Sequence, residues 1–411
     1  MELFVVDTLE ESIDKLYKKV INTKCLNDIE EVESIYSLNR ILANDVVSNE
    51  DSPMFDRSTV DGYAVISNDT QGATDTIPCF LDVIYEVKMG ENINCDIKPG
   101  ECMYVPTGGM IPKSADAVIM IEWTENLTDK KIAVYNSIPS GKNVLKKSSD
   151  VSKNQIVLNK SKIITSSDIA LFSMLGIKNI NVYKKINVTI ISTGDELVEW
   201  DSDNLEYGKI RDTNTNYIFS ECINYNFNVI GKYLIKDDYE LLNKIVLDAK
   251  KNSDLILLSG GSSKGKKDYT NDIIKKNCNG NILTHGISIK PGKPTITSFD
   301  EETNTIIIGL PGNPQAAVLI FRLLIIGLYE KITNANFNKN KICMGYLMEN
   351  VPATPGRMTI QLVDVDDDFN IYPIYSKSNS VFKMCKSVGF IIIKQNVEGL
   401  NKGDIVKVYY L

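Results

Sequence analysis

Residues 186–196 read INVTIISTGDE, an apolar, β-branched run that passes directly into the polar turn 192–196. This pattern predicts a buried strand over 186–192 followed by a tight glycine turn. The pattern recurs as DLILLSGGSSKG at 254–265 and as TIIIGLPGNP at 305–314. Repeated strand-then-glycine units indicate parallel strands, whose turns lie together at the carboxyl edge of one sheet.

The segments around these three units alternate between strand and helix patterns. A further strand is predicted at 228–235, and helices are predicted near 215–226, 239–251, 269–276 and 314–330. Asn313 can cap the last helix, and Pro314 suits its first turn. We therefore predict a central doubly wound αβα domain over 186–330, with a parallel or mixed sheet covered on both faces.

The flanking segments have different patterns. Thr8 and Glu11 have the spacing of a capping box before an amphipathic helix. Short β-type runs occupy about 48–147, and 166–168 open a short helix that ends at Gly176. β-type runs return after 341. The fold class is thus multidomain α/β plus β, with a β-rich N-terminal module in 1–185 and a small β-barrel-like domain in 331–411.

Composition excludes several classes of protein. The 411 residues carry 45 basic and 53 acidic side chains, a net charge of −8 that disfavours a nucleic-acid or anionic-membrane surface. His285 is the only histidine in the sequence, which excludes a zinc site built from several imidazoles. There is no C-x-x-C pair, no signal-peptide pattern and no apolar run long enough to span a bilayer, so we expect a cytoplasmic protein.

The three glycine-rich turns are candidate phosphate-binding loops. Glycine lets backbone N–H groups approach a phosphate closely, and three such turns at one sheet edge favour a phosphate-rich ligand. None of them is a Walker A motif or a G-x-G-x-x-G fingerprint. Ordinary strand-to-helix turns therefore remain the alternative.

Charged residues near these turns suggest a metal ion and an anion. Several carboxylates follow predicted strands or precede predicted helices, as Mg²⁺ shared with a phosphoanhydride requires: Asp195, Glu196, Asp237, Asp238 and Asp268. Helix capping is the alternative for Asp237 and Asp238. Lys290 and Lys293 lie three residues apart in KPGKP, where they can face one anion or stand in a solvated loop.

Several motifs in this order resemble the molybdopterin molybdenumtransferase family (MoeA and the gephyrin E domain), over almost the full length. They are STVDGYAV (58–65), PTGGM (106–110), ADAVIM (115–120), ISTGDELV (191–198), DTN (212–214), SGGSSKGKKDYT (259–270), KPGKPT (290–295) and GLPGNPQA (309–316). The resemblance implies the last step of molybdenum cofactor synthesis, in which adenylylated molybdopterin and molybdate react with Mg²⁺ and AMP is released. It also implies a homodimer with composite active sites and an upstream molybdopterin adenylyltransferase.

The resemblance assigns roles residue by residue. Glu196, Asp237 and Asp268 match acidic positions, which we expect to bind metal or to polarise the anhydride. Lys290 and Lys293 would neutralise the anion, and Asp61 and Thr107 match positions that approach the cleft of the other subunit. The expected cofactor-binding positions are Thr193, Gly194, Asp195, Asp212, Asn214, Gly260, Gly261, Ser262, Lys290, Lys293, Pro311, Gly312, Asn313, Arg357 and Ser378.

Two alternative functions remain beside this interpretation, and the sequence also departs from the family pattern near Lys290. Adenylyl transfer from ATP to molybdopterin uses a related α/β domain, but the flanking modules disfavour it. A non-catalytic scaffold is disfavoured by the intact carboxylates and lysines. Gly286, preceded by His285, stands where relatives often carry a lysine. The choice between molybdate and tungstate stays open, because the two ions have nearly the same size and charge.

Overall fold

A computed structural model describes residues 6–260, 269–337, 342–375 and 380–411 of the chain. The chain divides into two compact units. One unit comprises Met1–Asn44, Lys160–Ile169 and Lys178–Leu411, and the other comprises Asp45–Asn159 and Ala170–Ile177. The domain boundaries near 185 and 330 stay predictions.

The chain begins with helix α1, Leu9–Val20, and strand β1, Ile29–Glu33. The predicted capping box is present, since the Thr8 N–H donates to Glu11 Oε2 at 2.8 Å and the Glu11 N–H donates to Thr8 Oγ1 at 3.1 Å. Leu9 and Leu16 are buried in the larger hydrophobic core of the first unit. A 3-10 turn, Ser34–Tyr36, follows.

The second unit is mainly β, as predicted. Its strands are β2 Val46–Val47, β3 Arg57–Ser58, β4 Gly62–Val65, β5 Cys79–Glu86, β6 Glu101–Val105, β7 Ala117–Met120, β8 Thr124–Thr128, β9 Lys131–Val134, β10 Val144–Leu145 and β11 Ile156–Leu158. The main sheet has the order β7-β4-β6-β5-β9-β8. Short 3-10 turns occur at Ser67–Thr70 and Ile121–Trp123, and helix α2, Ser166–Met174, lies near the predicted position.

The α/β elements of the first unit follow α2. They are β12 Asn179–Tyr183, β13 Asn187–Thr193, β14 Leu197–Val198, β15 Ile210–Arg211, α3 Asn214–Asn224, β16 Asn228–Ile235, α4 Tyr239–Ala249, β17 Leu255–Ser259, α5 Tyr269–Asn277, β18 Ile282–His285, β19 Ile289–Lys290, β20 Ile296–Asp300, β21 Thr305–Leu310, α6 Pro314–Ile320 and α7 Gly327–Thr333. The sheet order is β16-β13-β17-β21-β20-β18. Pairing is parallel from β16 to β21 and antiparallel for β20 and β18, so the sheet is mixed.

Successive side chains of the central strands enter two different cores. In β17, Leu255 and Leu257 belong to the core that includes α1, α3, α6 and α7, whereas Ile256 and Leu258 pack with α4 and α5. Each fully buried Leu or Ile contributes about 1.5–3 kcal/mol relative to exposure. A continuous apolar run predicts a strand that is buried on both faces, as β17 is. The predicted αβα arrangement is confirmed.

Two details of the predicted helices are wrong. The helix predicted over 314–330 is interrupted by a π-helical stretch, Phe321–Ile326, and continues to Thr333. Asn313 is the N-cap residue of α6, but its side chain makes no capping hydrogen bond. Asp238 does cap α4 by accepting from the Leu241 N–H at 3.0 Å, as the capping alternative proposed.

The C-terminal region forms a small closed barrel, as predicted. Its elements are β22 Ile342–Leu347, β23 Val351–Pro352, β24 Met358–Val365, β25 Asn370–Pro373, α8 Val381–Lys386, β26 Gly389–Ile393, β27 Gly399–Leu400 and β28 Ile405–Tyr410. Among the described residues, five strands in the order β24-β25-β22-β28-β26 close through pairing of β26 with β24. Strand β19 pairs in parallel with β24 and joins the barrel to the α/β elements. No described helix is both long and apolar enough to cross a membrane.

Candidate active site

The described starts of the three glycine-rich turns lie side by side, because the strands that precede them, β13, β17 and β21, are adjacent and parallel. At Gly260, φ is +118° and a Cβ would lie 2.1 Å from the Thr193 carbonyl oxygen, so glycine alone permits this approach. A Cβ on Gly312 would lie 4.0 Å from Gly260 Cα. Thr193, Gly260 and Gly312 therefore mark the place where the described parts of the three turns pack together, which we call the cradle.

A buried polar network fixes the start of α3 behind the cradle. Asp212 Oδ1 accepts hydrogen bonds from the Thr215 N–H at 3.2 Å and from Ser192 Oγ at 3.3 Å. Thr215 Oγ1 and Ser192 Oγ are 2.8 Å apart. The Asn214 amide nitrogen donates to Ser259 Oγ at 2.6 Å and to the carbonyl oxygen of Gly312 at 2.9 Å. The DTN motif thus ties all three turns together.

An acidic corner lies at the β13 end of the cradle. The Gly194 N–H donates to the carbonyl oxygen of Ile235, and the Asp237 N–H donates to Asp195 Oδ1, both at 3.2 Å. The Glu196 carboxylate folds back over Gly194, since a Cβ there would lie 2.9 Å from Glu196 Oε2. Three of the predicted acidic residues are therefore near one another where β13 and β16 end.

The predicted metal ligands are only partly described. Within the described ranges, no three His, Cys, Asp or Glu side chains are grouped closely enough to hold a metal ion. Asp268, which completes the predicted ligand set, lies outside the described residues, as do Gly261, Ser262 and Ser378. The metal role of Glu196 and Asp237 stays a prediction.

Two of the predicted anion-binding residues, Lys290 and Arg357, lie where β19 joins the barrel, and we call this place the basic junction. Lys290 Nζ donates to Thr354 Oγ1 at 2.9 Å, and the Arg357 N–H donates to the Thr354 carbonyl oxygen at 3.2 Å. Lys290 and Lys293 are both exposed. Pro311 is buried next to the exposed Gly312. Among the described hydrogen bonds, those of Lys290 connect it to the barrel and not to the cradle.

The two predicted residues of the β-rich unit form a local pair. Asp61 Oδ1 accepts from the Thr107 N–H at 2.7 Å and from Thr107 Oγ1 at 3.1 Å. Asp61 immediately precedes β4 and Thr107 follows β6, and antiparallel pairing of Gly62 with Val105 brings them together. Both side chains are exposed, so the pair presents an oriented carboxylate and hydroxyl to solvent.

Sequence reasoning missed two residues that touch predicted site residues. Thr354 links Lys290 to Arg357, and Lys209 Nζ donates to the Asp195 carbonyl oxygen at 2.6 Å. Lys209 could have been found from the sequence, because it lies just before the DTN motif. No motif marks Thr354. The departure at Gly286 also has a structural reason, because its φ of +97° is strained for a lysine.

An αβα domain with a small closed barrel, which carries the cradle, the acidic corner and the basic junction, defines a multidomain α/β protein. Family models match the chain in order: "MoeA N-terminal region (domain I and II)" at 7–176, "Probable molybdopterin binding domain" at 189–331 and "MoeA C-terminal region (domain IV)" at 345–411. The chain belongs to the MoeA family.

Individual relatives extend over nearly the whole chain. A Methanocaldococcus jannaschii protein named "Putative molybdopterin biosynthesis protein" is 33% identical and covers 100% of this chain and 96% of its own length. The molybdopterin molybdenumtransferase of Staphylococcus epidermidis is 29% identical, covering 98% and 94%. The crystal structure of a molybdopterin biosynthesis MoeA protein from Pyrococcus horikoshii has a TM-score of 0.83 at 27% identity, covering 99% and 100%.

Proposed function

We propose that the chain is a molybdopterin molybdenumtransferase, which inserts molybdate into adenylylated molybdopterin with Mg²⁺-dependent release of AMP. Family membership supports a role in molybdenum cofactor biosynthesis. The observation that carries the proposal is the ordered match of three MoeA regions along one chain. An adenylyltransferase would need only the α/β region, so the accompanying β-rich unit and barrel favour transfer of molybdenum.

The cradle is suited to a nucleotide-linked ligand. Buried hydrogen bonds around Asp212 and Asn214 hold the described parts of its turns together. Backbone N–H groups at glycine turns are favourable partners for phosphate oxygens. We assign the phosphoanhydride to the edge of the cradle that lies next to Glu196.

The acidic corner suits Mg²⁺, because this ion takes one or two carboxylates and completes its coordination with phosphate oxygens and water. Glu196 is exposed and Asp237 half-buried, and the hydrogen bond from the Asp237 N–H to Asp195 keeps the ends of β13 and β16 together. Asp268 would be a further ligand. A bound Mg²⁺ would stabilise negative charge on the anhydride oxygens as AMP leaves.

The basic junction suits a tetrahedral oxyanion. A guanidinium can donate two parallel hydrogen bonds to such an ion, and lysine adds a positive charge. Thr354 positions the Lys290 ammonium through its hydroxyl and the backbone of Arg357 through its carbonyl. We therefore assign molybdate to Lys290, Lys293 and Arg357, with Ser378 as a further candidate.

The proposal includes a second subunit and a supplier of substrate. We place the Asp61 and Thr107 pair at the cleft of the other subunit in a homodimer. Adenylylated molybdopterin would come from an upstream adenylyltransferase in the same cytoplasm.

One assay tests the function. The purified chain is incubated with adenylylated molybdopterin, Mg²⁺ and molybdate, and AMP and active cofactor are measured. We expect both products, with loss of both on chelation of Mg²⁺. Adenylylation of molybdopterin from ATP without transfer would favour the adenylyltransferase, and neither activity would favour a scaffold.

A second experiment tests the oxyanion assignment. Lys290→Met should raise the KM for molybdate by about tenfold, the loss expected for one charged hydrogen bond of roughly 1.5 kcal/mol. The matched control is Lys232→Met in β16, whose Nζ lies 4.4 Å from the centre of the Phe219 ring. An unchanged KM for molybdate in the Lys290 variant would refute the assignment.

A further inference from the structure

Asn214 occupies the point where the turns of the cradle meet. Its amide nitrogen donates to Ser259 Oγ and to the carbonyl oxygen of Gly312. A backbone carbonyl oxygen can only accept, so the atom facing Gly312 must be the nitrogen, which fixes the orientation of the amide. Both amide hydrogens are therefore used within the protein.

Among the described residues, the amide oxygen of Asn214 has no hydrogen-bond partner. Asn214 is 7% exposed, and no described residue donates a hydrogen bond to its Oδ1. A buried acceptor left unpaired costs about 1–3 kcal/mol. The side chain has little freedom to relieve this cost, because the neighbouring Thr215 N–H is held by Asp212 at the start of α3.

We propose that Asn214 Oδ1 accepts a hydrogen bond from an N–H or O–H group of the ligand bound in the cradle, an inference that rests on the proposed function. This oxygen is buried among the packed turns, so the turns must separate locally for the donor to reach it. Among the donors that an adenylylated pterin carries, we assign the contact to the ribose hydroxyls or to the pterin amino group. A site with an unpaired buried acceptor discriminates against ligands that lack the donor.

A binding cycle on the full chain tests this role by calorimetry. The probes are AMP with 2′,3′-dideoxy-AMP, and pterin with its N2,N2-dimethyl derivative. The wild-type chain should bind the donor-bearing member of one pair about tenfold more tightly, as expected for a hydrogen bond worth about 1.4 kcal/mol. Asn214→Leu should bind both members of that pair equally, since the cycle isolates the contact. Asn216→Leu, two residues along the same helix, should keep the preference.

The pair that shows the preference identifies the donor as ribose or pterin. An equal affinity for both members of both pairs in the wild-type chain would overturn the inference, as would a preference that survives in Asn214→Leu. Asn214→Ala gives the same comparison if the leucine variant does not fold. AMP release is measured on the same wild-type preparation. Turnover without a preference refutes the inference alone, whereas a preference without turnover refutes the proposed function alone.

Discussion

Replacing Gly260 by alanine probes the contact that joins the β13 and β17 turns. A Cβ at this position would lie 2.1 Å from the carbonyl oxygen of Thr193 and 2.8 Å from its Oγ1. Real Cβ atoms essentially never approach another atom within 3.0 Å, so the two turns must separate by at least about 0.9 Å. The cradle of the alanine variant would therefore be wider than that of the wild-type protein.

The size of the effect follows from two costs. Overpacking of this kind costs about 1–3 kcal/mol, and a non-glycine residue at positive φ costs roughly 1–2 kcal/mol. We expect Gly260→Ala to lower the free energy of unfolding by about 2–5 kcal/mol. Turnover should fall as well, because a displacement of about 1 Å in a binding site can reduce the rate by about 100-fold.

Gly312→Ala is the matched control. Among the described residues, its added Cβ would meet nothing nearer than Gly260 Cα at 4.0 Å, an ordinary van der Waals distance, and its φ is not positive. Its unfolding free energy should stay within about 0.5 kcal/mol of wild type. Urea denaturation and AMP release are measured for both variants. If Gly260→Ala matched Gly312→Ala in stability and turnover, the close contact between the turns would be refuted.

Two further predictions concern buried charges. The Glu221 carboxylate accepts two hydrogen bonds from Arg322, at 2.7 and 2.9 Å, and both side chains are under 10% exposed. Glu221→Gln should therefore lower the free energy of unfolding, measured by urea denaturation, by about 3 kcal/mol. Replacing both residues by leucine should lower it by less. Burial raises the pKa of Asp168, but hydrogen bonds from Lys162 and Thr165 outweigh it and hold that pKa below its ordinary value. The stabilisation is therefore full at neutral pH and is lost as the pH falls through the lowered pKa. Asp168→Asn should therefore be about 2 kcal/mol less stable at pH 7, and a deficit that did not shrink in acid would contradict this.

Much of the α/β domain could be predicted because its central strands are buried on both faces. Such strands must be continuous apolar runs, and β17 and β21 were recognisable for that reason. Strands β18 and β20 were not predicted, since short segments such as ITSFD mix apolar and polar residues. The burial of these polar side chains depends on neighbouring strands and leaves no periodic signal.

In the candidate site, too, some features could be predicted from the sequence and others could not. Adjacency of the three turns follows from parallel strands, so the sequence predicted it. The hydrogen bond between Lys290 and Thr354 depends on pairing of β19 with β24 across 64 positions of the chain. The unpaired oxygen of Asn214 likewise depends on where Ser259 and Gly312 lie in space. Contacts of this kind are tertiary, and local sequence patterns do not encode them.

The most direct test of the central claim is the ratio of molybdenum incorporated to AMP released. Adenylylated molybdopterin, Mg²⁺ and molybdate are incubated with the chain, and molybdenum in the purified cofactor is compared with free AMP in the same sample. A single coupled reaction predicts one molybdenum atom for each AMP. AMP release that proceeds equally without molybdate, with no molybdenum in the cofactor, would contradict the proposed transfer.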